Sequence, residues 1–392
     1  MKKFIFAVLL GSLASLNVFA AGMTTHEFIT ETALKNLADP ELKQVLKSHR
    51  NVLLTACNFP DTGTANRYLP GQKEKPNYGG ITHWPVYTES YLAYIGANCH
   101  APYDRRCIRL IDHFMGLAAH DMEDQAFDEL FLAKAAKVAA PEMFWMVDAT
   151  SDFVVLAKYD RWAHVPVYVA PVKDLSRIFS DMGLDFSEAN IVSGHIVHQI
   201  ATVGERPVSF FSYLPLKKRM PWISSHIYAA PGGVVFAAGV IDEYWEALWQ
   251  RINGKGGAIK PVIASLPAAG ASDVPLDSEV NVFFARGKIS ASITPASFLV
   301  RDGAGKLVEG KIRNSGKFTG DEANFVPSAP LLPGRTYTVI LTTGIEDLDG
   351  PQDMCKRFNE KGGCVSDGHY VLRGKPMSAE YSFSFTTAKE SK

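Results

Sequence analysis

The sequence has almost no excess charge. Its 40 Lys and Arg balance 41 Asp and Glu, for a formal net charge of −1 over 392 residues. No overall basic field argues for nucleic acid or an anionic membrane surface. Beyond the first 20 residues, no apolar run approaches the roughly 20 residues of a membrane span. Five cysteines are few for a disulfide scaffold. No internal repeat or low-complexity tract stands out. What remains is ordinary: 47% hydrophobic and 21% charged residues, as in a soluble globular protein long enough for two domains.

The N-terminus reads as a secretory signal. Lys2 and Lys3 open it, Phe4 to Leu10 is apolar, and Val18-Phe19-Ala20 supplies small residues at the cleavage positions. Cleavage after Ala20 would expose the α-amino group of Ala21 a few residues from His26. Both can ligate a transition metal once deprotonated. Export to the periplasm or the medium would permit disulfides. Cys99 and Cys107 are eight apart, Cys355 and Cys364 nine apart, and each pair could close a small loop. Cys57 is then odd, a free thiol or an intermolecular partner; the alternative is that all five are buried free thiols.

The pattern changes near residue 255. Helical periodicity predicts helices over Glu27–Leu37, with Thr24 and Thr25 as caps, and over Ile108–Ala139, Phe144–Tyr159, Val172–Met182, Glu188–Gly204 and Val234–Ile252. Asn58–Gly80 reads as an irregular stretch. Asn253–Gly257 reads as a linker, after which strand-type alternation takes over: Glu279–Phe284, Ser297–Val300, Thr336–Leu341 and Glu380–Phe385. The expected organisation is a signal peptide over residues 1–20, an all-α domain over 21–254 and an all-β sandwich over 261–392. The second domain resembles a bacterial Ig-like domain through Ile293-Thr294-Pro295-Ala296-Ser297-Phe298, Leu331–Tyr337 and Phe383–Thr387.

Chemistry concentrates in one segment. His120, Asp124 and Asp128 are spaced four and four, one row on a helix. Their apolar neighbours, Phe114, Met115, Leu117, Phe127 and Phe131, argue against a solvated acidic face. A buried acidic row needs a counter-charge, and a metal supplies one. Asp61 after Phe59-Pro60, His83 beside Trp84, and Asp148 with Asp152 are further ligand-type residues. Alone, Asp61 reads as a turn residue, His83 as a surface histidine and Asp148 as a helix cap.

In this order the pieces resemble the zinc-dependent phospholipase C family, whose helical fold is shared with single-strand-specific zinc nucleases. Similarity is strongest to the N-terminal domain of glycosylphosphatidylinositol-specific phospholipase D, over residues 21–250. Phe114-Met115-Gly116-Leu117-Ala118-Ala119-His120 and Val165–Leu175 strengthen it. The resemblance implies one metal on the Ala21 amine, His26 and Asp124. It implies a second on Asp61, His83, His120 and Asp124, with Asp124 bridging, and a third on Asp128, Asp148 and Asp152. Histidine is expected at 128 and 148, and aspartate there favours a hard cation, Ca²⁺, Mg²⁺ or Mn²⁺, beside two zinc ions.

The resemblance implies hydrolysis of a glycerophospholipid, such as phosphatidylcholine, to diacylglycerol and a phosphorylated headgroup. Asp61 would ligate and accept the proton of water. A choline headgroup calls for aromatic faces, and Phe59, Tyr68, Trp84 and Tyr87 lie near these ligands in sequence, with core or loop packing the alternative for each. His113, seven before His120, shares its helix face and reads either as a support for the metal ligands or as core packing; His195 and His198 read as structural. The competing readings are phospholipase D-type cleavage, a nuclease (disfavoured by the near-neutral charge) and a non-catalytic binding protein with a structural metal helix.

Overall fold

The computed structural model describes residues 22–69, 77–139, 143, 146–162, 165, 167, 170–255, 259–350 and 372–389. Residues 1–20, expected to be a signal peptide, and Ala21, Cys355 and Cys364 lie outside the described residues.

Helices make up the first half: α1 (Met23–Asn36), α2 (Pro40–Ser48), α3 (Arg50–Ala56), α4 (Phe59–Ala65), α5 (Gly79–Thr82), α6 (Pro85–Asn98) and α7 (Arg105–Glu123). A π-helical segment, Asp124–Leu132, continues α7 into α8 (Ala133–Val138). Then come α9 (Val147–Lys158), α10 (Val172–Asp181), α11 (Glu188–Arg219), α12 (Pro221–His226) and α13 (Val234–Ile252).

The central member is α7. Asp104 caps it by accepting from the Cys107 N–H at 2.7 Å, and every residue from Leu110 to Glu123 is buried. The Cys99–Cys107 disulfide ties the end of α6 to the start of α7. Cys57 is a buried free thiol, so it is no intermolecular partner in this fold. Two expectations need correction. Asp61 stands in the first turn of a short helix, α4, because Pro60 suits a helical N-terminus that periodicity misses. And α11 runs through Pro207 and Pro215 well past Gly204, closing on Lys217, Lys218 and Arg219, which favour a helix C-terminus.

Among the described residues the second half has nine strands, β1 (Val262–Leu266), β2 (Val280–Ile289), β3 (Phe298–Asp302), β4 (Gly310–Asn314), β5 (Thr319–Pro327), β6 (Thr336–Leu341), β7 (Glu346–Leu348), β8 (Gly374–Pro376) and β9 (Tyr381–Thr386). One sheet runs β4-β5-β2-β7-β8 with β1 also on β2; the other runs β3-β6-β9. Val282, Phe284, Phe298, Val339 and Phe385 form the core of this sandwich.

The two halves share a buried seam. Most of β2 and β5 is buried on both faces. Phe283 turns from the sandwich to the helices and meets Phe236 edge-on at 5.8 Å. At Gly287 a Cβ would lie 2.3 Å from the Pro85 side chain, so only glycine allows that approach. Arg251 on α13 forks onto Glu89 of α6 at 2.9 and 2.5 Å, and Lys288 meets Asp347 at 2.5 Å. Gln125 accepts from the Asp321 N–H at 2.8 Å and from the Ser315 hydroxyl at 2.9 Å. The Ig-like half is thereby bonded to the residue after Asp124.

One core acid yields a pH prediction. Burial pushes the Asp112 carboxyl up to about 8. At neutral pH it is protonated and lies 3.0 Å from His49 Nδ1, whose own affinity for a proton is lowered by burial and by Arg109 and Arg105. The folded state holds this proton more tightly than the unfolded chain. Stability from Asp112 is therefore fullest at acid pH and falls as pH rises from about 4 to about 8. Asp112→Asn, which stays neutral, should remove this slope in urea unfolding measured across that range. An unchanged slope would show that Asp112 is ionised in the fold.

Candidate metal centre

Five side chains from four elements converge: His26 on α1, Asp61 on α4, His83 just after α5, His120 on α7 and Asp124 where the π segment begins. The ligand atoms of His26, His120 and Asp124 lie within 4.8 Å of one another, and so do those of Asp61, His83 and His120. The rings of His26 and His120 are 4.3 Å apart, those of His83 and His120 4.9 Å.

Each imidazole has one nitrogen engaged outside the cluster. His120 Nδ1 donates to the Cys57 carbonyl at 2.6 Å and His83 Nδ1 to the Gly79 carbonyl at 2.5 Å. Carbonyls only accept, so Nδ1 carries a proton in both and Nε2 is the nitrogen turned to the cluster. His26 Nδ1 lies 2.5 Å from Glu123 Oε2, and Thr30 holds the other Glu123 oxygen at 2.8 Å. Nε2 of His26 and of His120 is buried with no hydrogen-bond partner, as are one oxygen of Asp61 and one of Asp124. Orphaned buried acceptors of this kind are costly unless a cation completes them.

The electrostatics agree. Burial pushes Asp124 up to about 6 and raises Asp148 strongly, with Asp152 adding to the second shift. Burial opposes charge on His83, but Asp61 and Asp124 lift it to about 9; for His26, Glu123 likewise outweighs burial. Burial would also raise Asp61, yet His83 and His120 hold it well below the usual carboxylate range. Burial and the neighbouring His26 keep His120 neutral. The cluster retains protons where a divalent ion would displace them.

Asp124 faces both groups. Its Oδ1 is 3.8 Å from His26 Nε2, while its Oδ2 is 3.5 Å from His120 Nε2 and 3.9 Å from His83 Nε2. His120 has a single lone pair left and serves one ion; Asp124 has an oxygen for each. The imidazole and carboxylate donors suit zinc.

Asp128, Asp148 and Asp152 do not form a group of this closeness among the described residues. The i→i+5 bonding of the π segment widens the turn just after Asp124, so the four-residue register does not carry to Asp128. Asp148 is no cap: it sits in the first turn of α9 with Oδ1 buried and unpartnered. Asp152 is occupied, accepting from Thr25 N–H at 2.8 Å and its hydroxyl at 2.6 Å. Thr24 donates to Glu205 at 2.8 Å. Thr24 and Thr25 therefore anchor α1 rather than cap it, since Gly22 takes the N-cap position. A Cβ on Gly22 would fall 1.8 Å from Asp152 Oδ2, so the chain entering α1 passes directly over that carboxylate.

A cleft of about 410 Å³ opens on the centre, lined by His83, Asp124 and Asp128 with Trp84, Gln125 and Ser315. A Cβ on Gly316 would lie 2.9 Å from the Trp84 ring. The β4–β5 turn of the Ig-like half thus forms one wall. Of the aromatics expected at a headgroup, Trp84 lines the cleft and Tyr68 is 41% exposed. Phe59 is fully buried against Tyr78 at 5.3 Å, because its ring completes the core under α4. His113 is buried 5.0 Å from Phe59, and His195 and His198 are buried on α11. Sequence reasoning gives Glu123, Gln125 and Ser315 no role, and contacts across long separations are what reveal them.

The class is a helical domain followed by a β-sheet domain, and residues 259–387 match the family model of a bacterial Ig-like domain. A weaker relative matches part of the chain. Phosphatidylinositol-glycan-specific phospholipase D of Mus musculus is 24% identical over 181 residues, 42% of this chain. The chain spans only 20% of that relative's length. Among solved structures, CopC from Methylosinus trichosporium OB3b is 20% identical with a TM-score of 0.20, over 32% of this chain and 91% of that chain. The N-terminal part of the bacterial S-layer protein SbsC is 12% identical with a TM-score of 0.23, over 90% and 79%. Scores this low carry no argument.

Proposed function

We propose that the helical domain is an exported, zinc-dependent phosphodiester hydrolase that cleaves glycerophospholipids, phosphatidylcholine among them, as a phospholipase C. The observation that carries the reading is the convergence of three imidazole Nε2 atoms with Asp61 and Asp124 beside an open cleft. His26 and Asp124, completed by the Ala21 amine, would hold one ion, and Asp61, His83, His120 and Asp124 a second. Bound ions would supply a water acidified to a pKa of about 7 and positive charge for the phosphoryl oxygens.

The chain's own residues prepare that chemistry. Glu123 and the Cys57 and Gly79 carbonyls fix ring orientation and tautomer, so the donors are set before substrate arrives. Asp61, held ionised by His83 and His120, is suited to ligating and orienting water more than to taking its proton. Trp84 offers a π face to a quaternary ammonium at the cleft wall. Asp128 adds a carboxylate there for a harder third ion, Ca²⁺, Mg²⁺ or Mn²⁺. The Cys99–Cys107 disulfide accords with an oxidising compartment.

A second reading, phospholipase D-type cleavage, is favoured by the name of the mouse relative. Mass spectrometry of products from phosphatidylcholine separates the two, with His120→Ala controlling for contaminants. Diacylglycerol and phosphocholine, absent with the variant, are expected. Choline and phosphatidic acid would keep the site and change the bond. No product from any phospholipid would overturn the reading.

A further inference from the structure

The long helix α11 carries an outward face that the site does not use. Val192, Ile196, Ile200, Val203, Phe210, Phe211 and Leu214 are all exposed, with Phe210 at 70% and Leu214 at 69%. They recur three and four residues apart, and Pro207 fills the gap in the row. Every exposed position from 191 to 216 is apolar or glycine. The only Asp, Glu, Lys or Arg in that span, Glu205 and Arg206, are buried. Lys217, Lys218 and Arg219 follow at once, exposed. Between Val192 and Leu214 the row is about 33 Å long at helical rise. Soluble monomers rarely leave so continuous an apolar surface in water.

The inner face of α11 is already spoken for. Ile191, Gly194, Thr202, Ser209 and Leu216 are buried. A Cβ on Gly194 would lie 2.3 Å from the Thr62 carbonyl, which presses α11 onto α4, the helix carrying Asp61. The exposed row is therefore the back of an element that braces the metal centre.

We propose that the face from Val192 to Leu214 beds into the headgroup region of a lipid bilayer and docks the helical domain there. The proposal rests on the phospholipid reading above for its purpose. Aliphatic and phenylalanine side chains in a row, ended by a basic cluster, are the pattern of an interfacial helix lying in the membrane plane. Anionic headgroups pair with Lys217, Lys218 and Arg219. A second copy of this chain would offer that cluster no exposed acid from the same face, and the row has few polar groups to fix the register of a protein interface. No helix among the described residues is long and apolar enough to cross a membrane, so this one would lie on it.

The test is flotation of the full-length mature protein with phosphatidylcholine vesicles, with and without added phosphatidylglycerol. Phe210→Ser/Phe211→Ser should weaken binding at least about tenfold, since two exposed rings lose their insertion. Lys217→Gln/Lys218→Gln should lose only the increment due to phosphatidylglycerol, as should raised salt. Hydrolysis of a water-soluble phosphodiester should be unchanged in both variants, which also shows that they fold. Wild type that floats without forming product would keep the docking face and remove the phospholipid reading. Wild type that hydrolyses phospholipid but floats no better than the phenylalanine variant would overturn the docking face alone. So would a variant that turns a dimer into a monomer with flotation unchanged.

Discussion

Asp124→Ala is expected to empty both halves of the proposed metal centre at once. Its two oxygens face separate groups, His26 on one side and His83 with His120 on the other. Loss of an outer hydrogen-bond partner of a metal ligand typically costs 10–100-fold in affinity, and loss of a shared ligand should exceed about 100-fold. Zinc content after dialysis, read by mass spectrometry, and hydrolysis of phosphatidylcholine should fall together. Asp128→Ala is the informative comparison, because Asp128 lines the cleft outside both close groups. It should leave most of the zinc in place. Full zinc content in Asp124→Ala would show that the five residues are not a metal site.

The largest effect on stability is expected from Arg251→Met. Arg251 is nearly buried and forks onto a Glu89 that is 4% exposed. Glu89 shares the seam with Asp321, whose own carboxyl burial pushes up to about 7, with Glu89 adding to the shift. Removing the guanidinium leaves a buried carboxylate uncompensated, which costs about 3–5 kcal/mol. Urea unfolding should show that loss. Glu89→Gln in the same background should recover much of it, because the unpaired charge is then gone too. A loss under about 1 kcal/mol would mean that water reaches the pair.

Sequence alone makes the division near residue 255 legible, because helical and strand periods differ and the change between them is sharp. Val234–Ile252 and Thr336–Leu341 keep the predicted limits, since each is amphipathic or alternating to its ends. The strands β4 and β5 escape notice. Gly310–Asn314 alternates weakly, and Thr319–Pro327 is buried on both faces although it contains Asp321, Glu322 and Asn324. Those polar residues read as a loop until the helical half is seen covering them. The end of α11 is missed for the opposite reason, as proline is weighed as a stop where packing carries the helix onward.

Within the site, His26, Asp61, His83, His120 and Asp124 are legible as ligand-type residues by order and resemblance. That they meet is a property of four separate elements, which no spacing encodes. Asp128 illustrates the limit: a row drawn at α-helical pitch does not survive the π segment beginning at Asp124. Glu123 stands beside Asp124 in the sequence, but its role depends on His26, 97 positions away.

Gly287 and Gly316 give the seam a consequence for how such a chain can be assembled. Tandem domains are often treated as interchangeable cassettes. Here one strand of the sandwich lies against Pro85 with room for a hydrogen and not for a methyl group, and one of its turns, closed on its own Thr319 carbonyl, rests against Trp84. A cassette exchanged at the linker would arrive with its own residues at both positions. Without glycine at the position of Gly287 it would be held off the helical half, and Gln125 would lose the Asp321 amide and Ser315 hydroxyl that it accepts from. The Ig-like domain of this chain is fitted to its own neighbour, and the two have to change together.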